Sequence, residues 1–177
     1  MKIAYRSDHR KPFKSADVME TGGDHLDVAD FPDISRKAEM ALRNSPEHSD
    51  IRANALYLYS DPQMAEQDWR HRGKGVRTLY KVSFEDDDLL HTGDLDTFDR
   101  VAKDIAAGNT QSVNVEKYWA GCSPSRYSEH LVRKATVIEI VREAASWKSF
   151  YRTAAERLRD EPGNADWYRN QTLDRKD

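Results

Sequence analysis

Short runs of alternating apolar and polar residues recur along the chain, separated by stretches of helical spacing or by polar loops. Period two marks a half-buried strand, and period 3.6 an amphipathic helix. Ile3 and Tyr5 open the strand pattern. Ala55 to Tyr59 (ALYLY) continue it, followed by Leu79, Tyr80, Val82 and Phe84. Glu129, Leu131 and Val132, then Val137, Ile138, Ile140 and Val141, predict two further strands with a turn near Lys134. Helical spacing predicts a helix from Ile34 to Leu42, with Asp33 as its cap and Pro46 as its stop. A second begins at Asp61-Pro62, a third covers Leu95 to Ala107, and a fourth covers Arg142 to Arg159. The segment Ser7 to Asp33 reads as a long loop, and residues 110–128 as irregular. Strands mixed with helices predict one α+β domain over 1–160, with a polar tail over 161–177.

Several function classes lack their residues. No G-x-G-x-x-G turn and no G-x-x-x-x-G-K-[ST] loop occurs, which argues against dinucleotide folds of the Rossmann type and against P-loop enzymes. Cys122 is the single cysteine, so neither an internal disulfide nor a C-x-x-C site is available. The six histidines (His9, His25, His48, His71, His91 and His130) show no tight ligand spacing, so no metal site is expected. Asp86 to Asp88 read as a solvated turn. The net charge of -3 exerts no global pull on nucleic acid or anionic membrane. Charges near the N-terminus, where a signal peptide needs an apolar core, and the lack of any membrane-length apolar run predict a cytoplasmic protein, or one delivered into a target cell's cytoplasm by a non-classical route.

Four features carry possible chemistry. Tyr5-Arg6 ends the first strand, and a guanidinium there can fork onto a diphosphate or a ribose hydroxyl. Taken alone, a surface arginine on an edge strand is the simpler reading. Arg52 precedes a strand on which Tyr57 and Tyr59 share a face, with Ser60 at its end. Ser60 reads more readily as a turn or capping serine than as a nucleophile. Tyr118-Trp119 in a loop read as satellite packing, or as a stacking wall for a flat cationic ring. Glu129 opens a strand, where a glutamate is usually solvated. In a cleft shared with Arg6 its carboxylate would stabilise an oxocarbenium ion.

The order of these pieces (YRSDHR, RANALYLYSD, LYKVSF, EKYWAG, YSEHLV) resembles the ADP-ribosyltransferase superfamily, which includes bacterial toxins and effectors. YRSDHR looks like the first strand of its cholera-toxin-like branch. The resemblance spans roughly residues 3 to 141. It implies a split antiparallel β-sandwich with flanking helices around a cleft for NAD, which is the substrate. It further implies that Arg6 holds the NAD phosphates or ribose beside Tyr5 and Arg52. Tyr57 or Tyr59 would face the nicotinamide, Ser60 would support the cleft, and Trp119 would line it. Glu129 would bind the ribose 2′-hydroxyl as nicotinamide leaves. The acceptor would be a protein or a nucleic acid, and an antitoxin or immunity partner would accompany a toxin. Two other readings remain: an NAD glycohydrolase or phosphorylase-like toxin on a related fold, and a non-enzymatic binding or inhibitory module with a degenerate cleft.

Overall fold

A computed structural model describes residues 1–8, 12–21, 33–72, 77–109, 112–121 and 127–144. The expected polar tail, most of the helix expected over Arg142 to Arg159, and Cys122 lie outside the described residues.

Among the described residues, seven strands form one hydrogen-bonded sheet, and every pairing is antiparallel. They are β1 (Lys2–Asp8), β2 (Val18–Glu20), β3 (Leu56–Tyr59), β4 (Thr78–Phe84), β5 (Leu89–Asp94), β6 (Ser128–Val132) and β7 (Lys134–Arg142). Their spatial order is β2-β7-β4-β1-β3-β6-β5. Five helices accompany the sheet among the described residues: α1 (Asp33–Leu42), α2 (Pro46–Asn54), α3 (Pro62–Arg72), α4 (Leu95–Ala106) and α5 (Val113–Trp119). The protein is α+β, and none of these helices is long and apolar enough to cross a membrane.

Between β1 and β3 the ladder narrows to the single pair Tyr5↔Tyr59. The sheet curls about this seam. Phe84 on β4 and His130 on β6 have ring centroids 5.3 Å apart, although β1 and β3 lie between them. Three strand spacings in a flat sheet would put them roughly 14 Å apart. The curled face encloses the main core, in which Ala4, Leu56, Leu58, Tyr80, Val82, Phe84, Val132, Ala135 and Val137 meet Phe13 and Met19. Burial of each large side chain here contributes about 1.5–3 kcal/mol. On the opposite face, α1, α4 and α5 bring Ala38, Leu42, Val101, Val115 and Tyr118 into a second core.

Four elements depart from the sequence-based expectation. Pro46 opens a helix rather than only stopping one: Ser45 caps α2 by accepting the His48 N–H, and proline suits the first turn because its missing N–H is one the helix leaves unpaired. Arg52 therefore stands in the last turn of a helix. Within the long loop, β2 pairs with β7 and buries only Met19. Three residues are too few to show a period. In residues 110–128, Ser112 caps α5, which carries Tyr118 and Trp119 on a helix instead of a loop. β5 likewise has no signal in the sequence, since Leu89 to Asp94 contain Gly93 and lack alternation.

The expected breaks at Asp61-Pro62 and near Lys134 occur in the fold. Asp61 Oδ1 accepts from the N–H groups of Gln63 and Met64, and Arg133 separates β6 from β7.

Candidate functional site

Glu129 is the buried carboxylate about which the outer face is organised. It lies on β6 between β3 and β5, opposite Tyr59 on one side and Gly93 on the other. Its residue exposure is 7 %, so it is not the solvated glutamate that a strand start usually carries. Tyr118, wholly buried, reaches it from α5, with 2.5 Å between the phenol oxygen and Glu129 Oε1. Arg52 NH1 donates to the same phenol oxygen at 2.6 Å and stands 3.7 Å from Glu129 Oε1.

Arg52 is in turn clamped by Glu39 of α1. Its Nε–Oε1 distance is 2.7 Å and its NH2–Oε2 distance 2.6 Å, a bidentate fork. Arg43, just past the end of α1, donates to Glu39 Oε1 at 3.1 Å. The rings of Tyr57 and Tyr118 flank the Arg52 guanidinium at 5.0 and 5.2 Å. Burial alone would disfavour its charge, but Tyr118, Tyr57, Glu129 and Glu39 together hold its pKa well above the usual value. Two arginines thus face two carboxylates, which is how a protein interior tolerates full charges. Burial pushes the Tyr118 phenol well up, the Glu129 charge pushes it further, and Arg52 opposes both. Tyr57 is likewise pushed up by burial against the pull of Arg52, and its O–H donates to Arg52 O at 2.7 Å.

Gly93 makes room for this chain of contacts. A Cβ at position 93 would fall 2.4 Å from two ring carbons of Tyr118 and 2.5 Å from its hydroxyl. Glycine serves here for space, since its φ is not among the positive values of the chain. Gly93→Ala is expected to displace the Tyr118 ring and to cost about 1–3 kcal/mol, as for other overpacked cores. Urea denaturation checks this, and an unchanged midpoint would contradict it.

The other expected site residues fall into two groups. Tyr5 and Tyr59 share the Glu129 row and its face of the sheet. Two strand spacings separate Tyr5 from Glu129, roughly 10 Å. Arg6 is the next residue on β1, and the pleat turns it to the face of Ala4 and Tyr80. There its Nε meets Asp8 Oδ2 at 2.8 Å, and its NH1 donates to Tyr57 O at 3.1 Å, reinforcing the one-pair seam between β1 and β3. Ser60 directs both its N–H and its Oγ–H to Ser128 O, at 3.1 and 2.8 Å, which extends the β3–β6 ladder beside Glu129. Ser60 thus stands one residue to one side of the Tyr5–Tyr59–Glu129 row and Arg6 one residue to the other, with Arg6 and Glu129 turned to opposite faces. Arg52 stands in α2, and Tyr57 turns its ring from β3 toward the Arg52 guanidinium on the face that Glu129 shares. Trp119 also packs there, stacked on His48 at 3.9 Å, its Nε1–H donating to Leu42 O.

Nothing in the sequence singles out Glu39, Arg43 or Gly93. Glu39 looks like any surface acid of a charged helix, and only the three-residue spacing of Val115 and Tyr118 after Ser112 hints at α5.

His91 secures the other end of the Tyr118 segment. Its Nε2–H donates to Tyr118 O at 3.0 Å, and burial lowers its pKa to about 4. An unfolded histidine takes up its proton near pH 6.5, whereas the folded one resists until about 4. The contribution is therefore complete above 6.5 and declines as pH falls toward 4. His130, also lowered by burial, acts with the same sign. Stability in urea is expected to fall across this window, and His91→Asn, which keeps a donor but does not titrate, to flatten the slope. An identical slope in that variant would contradict the assignment.

No known family model matches the sequence, and no curated protein matches it significantly. Among the described residues, no group of His, Cys, Asp or Glu is arranged to hold a metal ion.

Proposed function

We propose that the chain is an NAD-consuming ADP-ribosyltransferase that uses Glu129 to stabilise the ribosyl cation as nicotinamide departs. One observation carries the reading: residues from three of the resembling pieces, far apart in sequence, stand in one row across β1, β3 and β6, which are consecutive in the sheet, with Tyr5 opposite Tyr59 and Tyr59 opposite Glu129. The curled antiparallel sheet with its one-pair seam is compatible with the split β-sandwich that this reading requires. Glu129 is also prepared for the chemistry. One of its oxygens is fixed by Tyr118, and the other makes no hydrogen bond among the described residues, leaving it for a ribose hydroxyl. Fixed charge aimed at a developing cation stabilises the transition state without reorganisation. The bond between ribose C1′ and the nicotinamide nitrogen breaks with its electron pair leaving on nicotinamide. An acceptor nucleophile then forms the new bond to C1′ and loses its proton.

A specific observation favours the binding-module reading: Arg6 and Glu129 are turned to opposite faces, and both already have partners. Incubation with NAD labelled in the adenosine half, together with a cell lysate, separates the readings. Transfer of label to protein or nucleic acid supports a transferase. Free labelled ADP-ribose supports the glycohydrolase. Unconsumed NAD, with no NAD-induced rise in melting temperature, supports the module.

A further inference from the structure

The contact between Tyr118 and Glu129 has a fixed direction. Arg52 NH1 can only donate, so at 2.6 Å it occupies a lone pair of the Tyr118 oxygen. The single phenol proton must then point at Glu129 Oε1. The buried chain Glu39–Arg52–Tyr118–Glu129 thus delivers one polarised O–H to one oxygen of the carboxylate. Every link is nearly inaccessible: Glu39 is 1 %, Arg52 2 % and Tyr118 0 % exposed. A second observation points the same way. Gly93, directly opposite Glu129 on β5, is the gap through which the Tyr118 ring reaches across.

We propose that Tyr118 is a positioning residue for Glu129, setting its rotamer and the orientation of its free oxygen, with Gly93 as the opening that admits it; this rests on the reading that Glu129 acts on NAD. A core tyrosine that merely satisfied Arg52 would need no alignment with the carboxylate and no glycine facing it. Tyr118→Phe keeps the ring and removes the directed proton.

The test is steady-state nicotinamide release from NAD by the full chain, comparing the parent with Tyr118→Phe, Glu129→Gln and the double variant. Loss of positioning lowers kcat by about 10- to 100-fold. KM is expected to stay within about twofold, because the lost contact matters in the transition state rather than in binding. The double variant is expected to be no slower than Glu129→Gln, since both substitutions disable one unit. Should Tyr118→Phe fail to fold, Gly93→Ala, which keeps the phenol and shifts its ring, must show the same loss in kcat. An active parent whose kcat survives these substitutions, or effects that multiply in the double variant, would overturn the positioning role and leave the NAD reading intact. A folded parent that releases no nicotinamide would overturn both.

Discussion

Replacing Arg52 by methionine is expected to destabilise the protein by about 3–5 kcal/mol, the cost of leaving a buried charge without its partner. The site explains why. Glu39 Oε2 is held by Arg52 NH2 at 2.6 Å, and both side chains are almost wholly buried, at 1 % and 2 %. Without Arg52, Glu39 keeps Arg43 on Oε1, and the phenol oxygen of Tyr118 loses the donor that aligns it. Total stabilities of domains this size are commonly 5–15 kcal/mol, so the variant would keep only part of its margin. Removing both charges at once is expected to cost less. The double variant Arg52→Met with Glu39→Leu exchanges the ion pair for apolar volume, which is often neutral or better. Chemical denaturation distinguishes the cases. A single variant within about 1 kcal/mol of the parent would mean that the pair is not buried as described.

Glu129→Gln is expected to abolish most NAD turnover while leaving the fold in place. Glutamine has the same shape and its carbonyl oxygen still accepts from Tyr118, so the packing under β6 survives. It lacks the negative charge that, on the proposed reading, stabilises the ribosyl cation as nicotinamide departs. Removal of one preorganised electrostatic group from a buried site typically costs about 10²–10³ in kcat. Circular dichroism of the variant should match the parent, while nicotinamide release falls by that factor. Equal rates in the two proteins would remove Glu129 from the chemistry.

Much of the architecture was legible in the residues. ALYLYS and LYKVSF alternate because one face of β3 and β4 packs into the curled core, and the pattern survives in the sequence. Asp61-Pro62 marks a helix start through local chemistry that needs no tertiary context. The missed elements were short or functionally compromised. β2 is too brief to show a period, and β5 carries a glycine that weakens a strand but that Tyr118 requires. Pro46 taken alone predicts a helix stop, although serine followed by proline is also a helix start. Within the site, Glu129 and Arg6 stood out through their neighbours in sequence. Arg52 and Tyr118 stood out singly, but Glu39 and the link among the three did not, because they come from three helices that meet only after packing. No period or spacing records that meeting.

The most direct test of the account is nicotinamide release from NAD by purified protein, measured by chromatography beside Glu129→Gln at equal concentration, with both shown to be folded. Steady release by the parent and at least about a hundredfold less by the variant are expected. A folded parent that leaves NAD intact, or a variant that releases nicotinamide as fast as the parent, would contradict it.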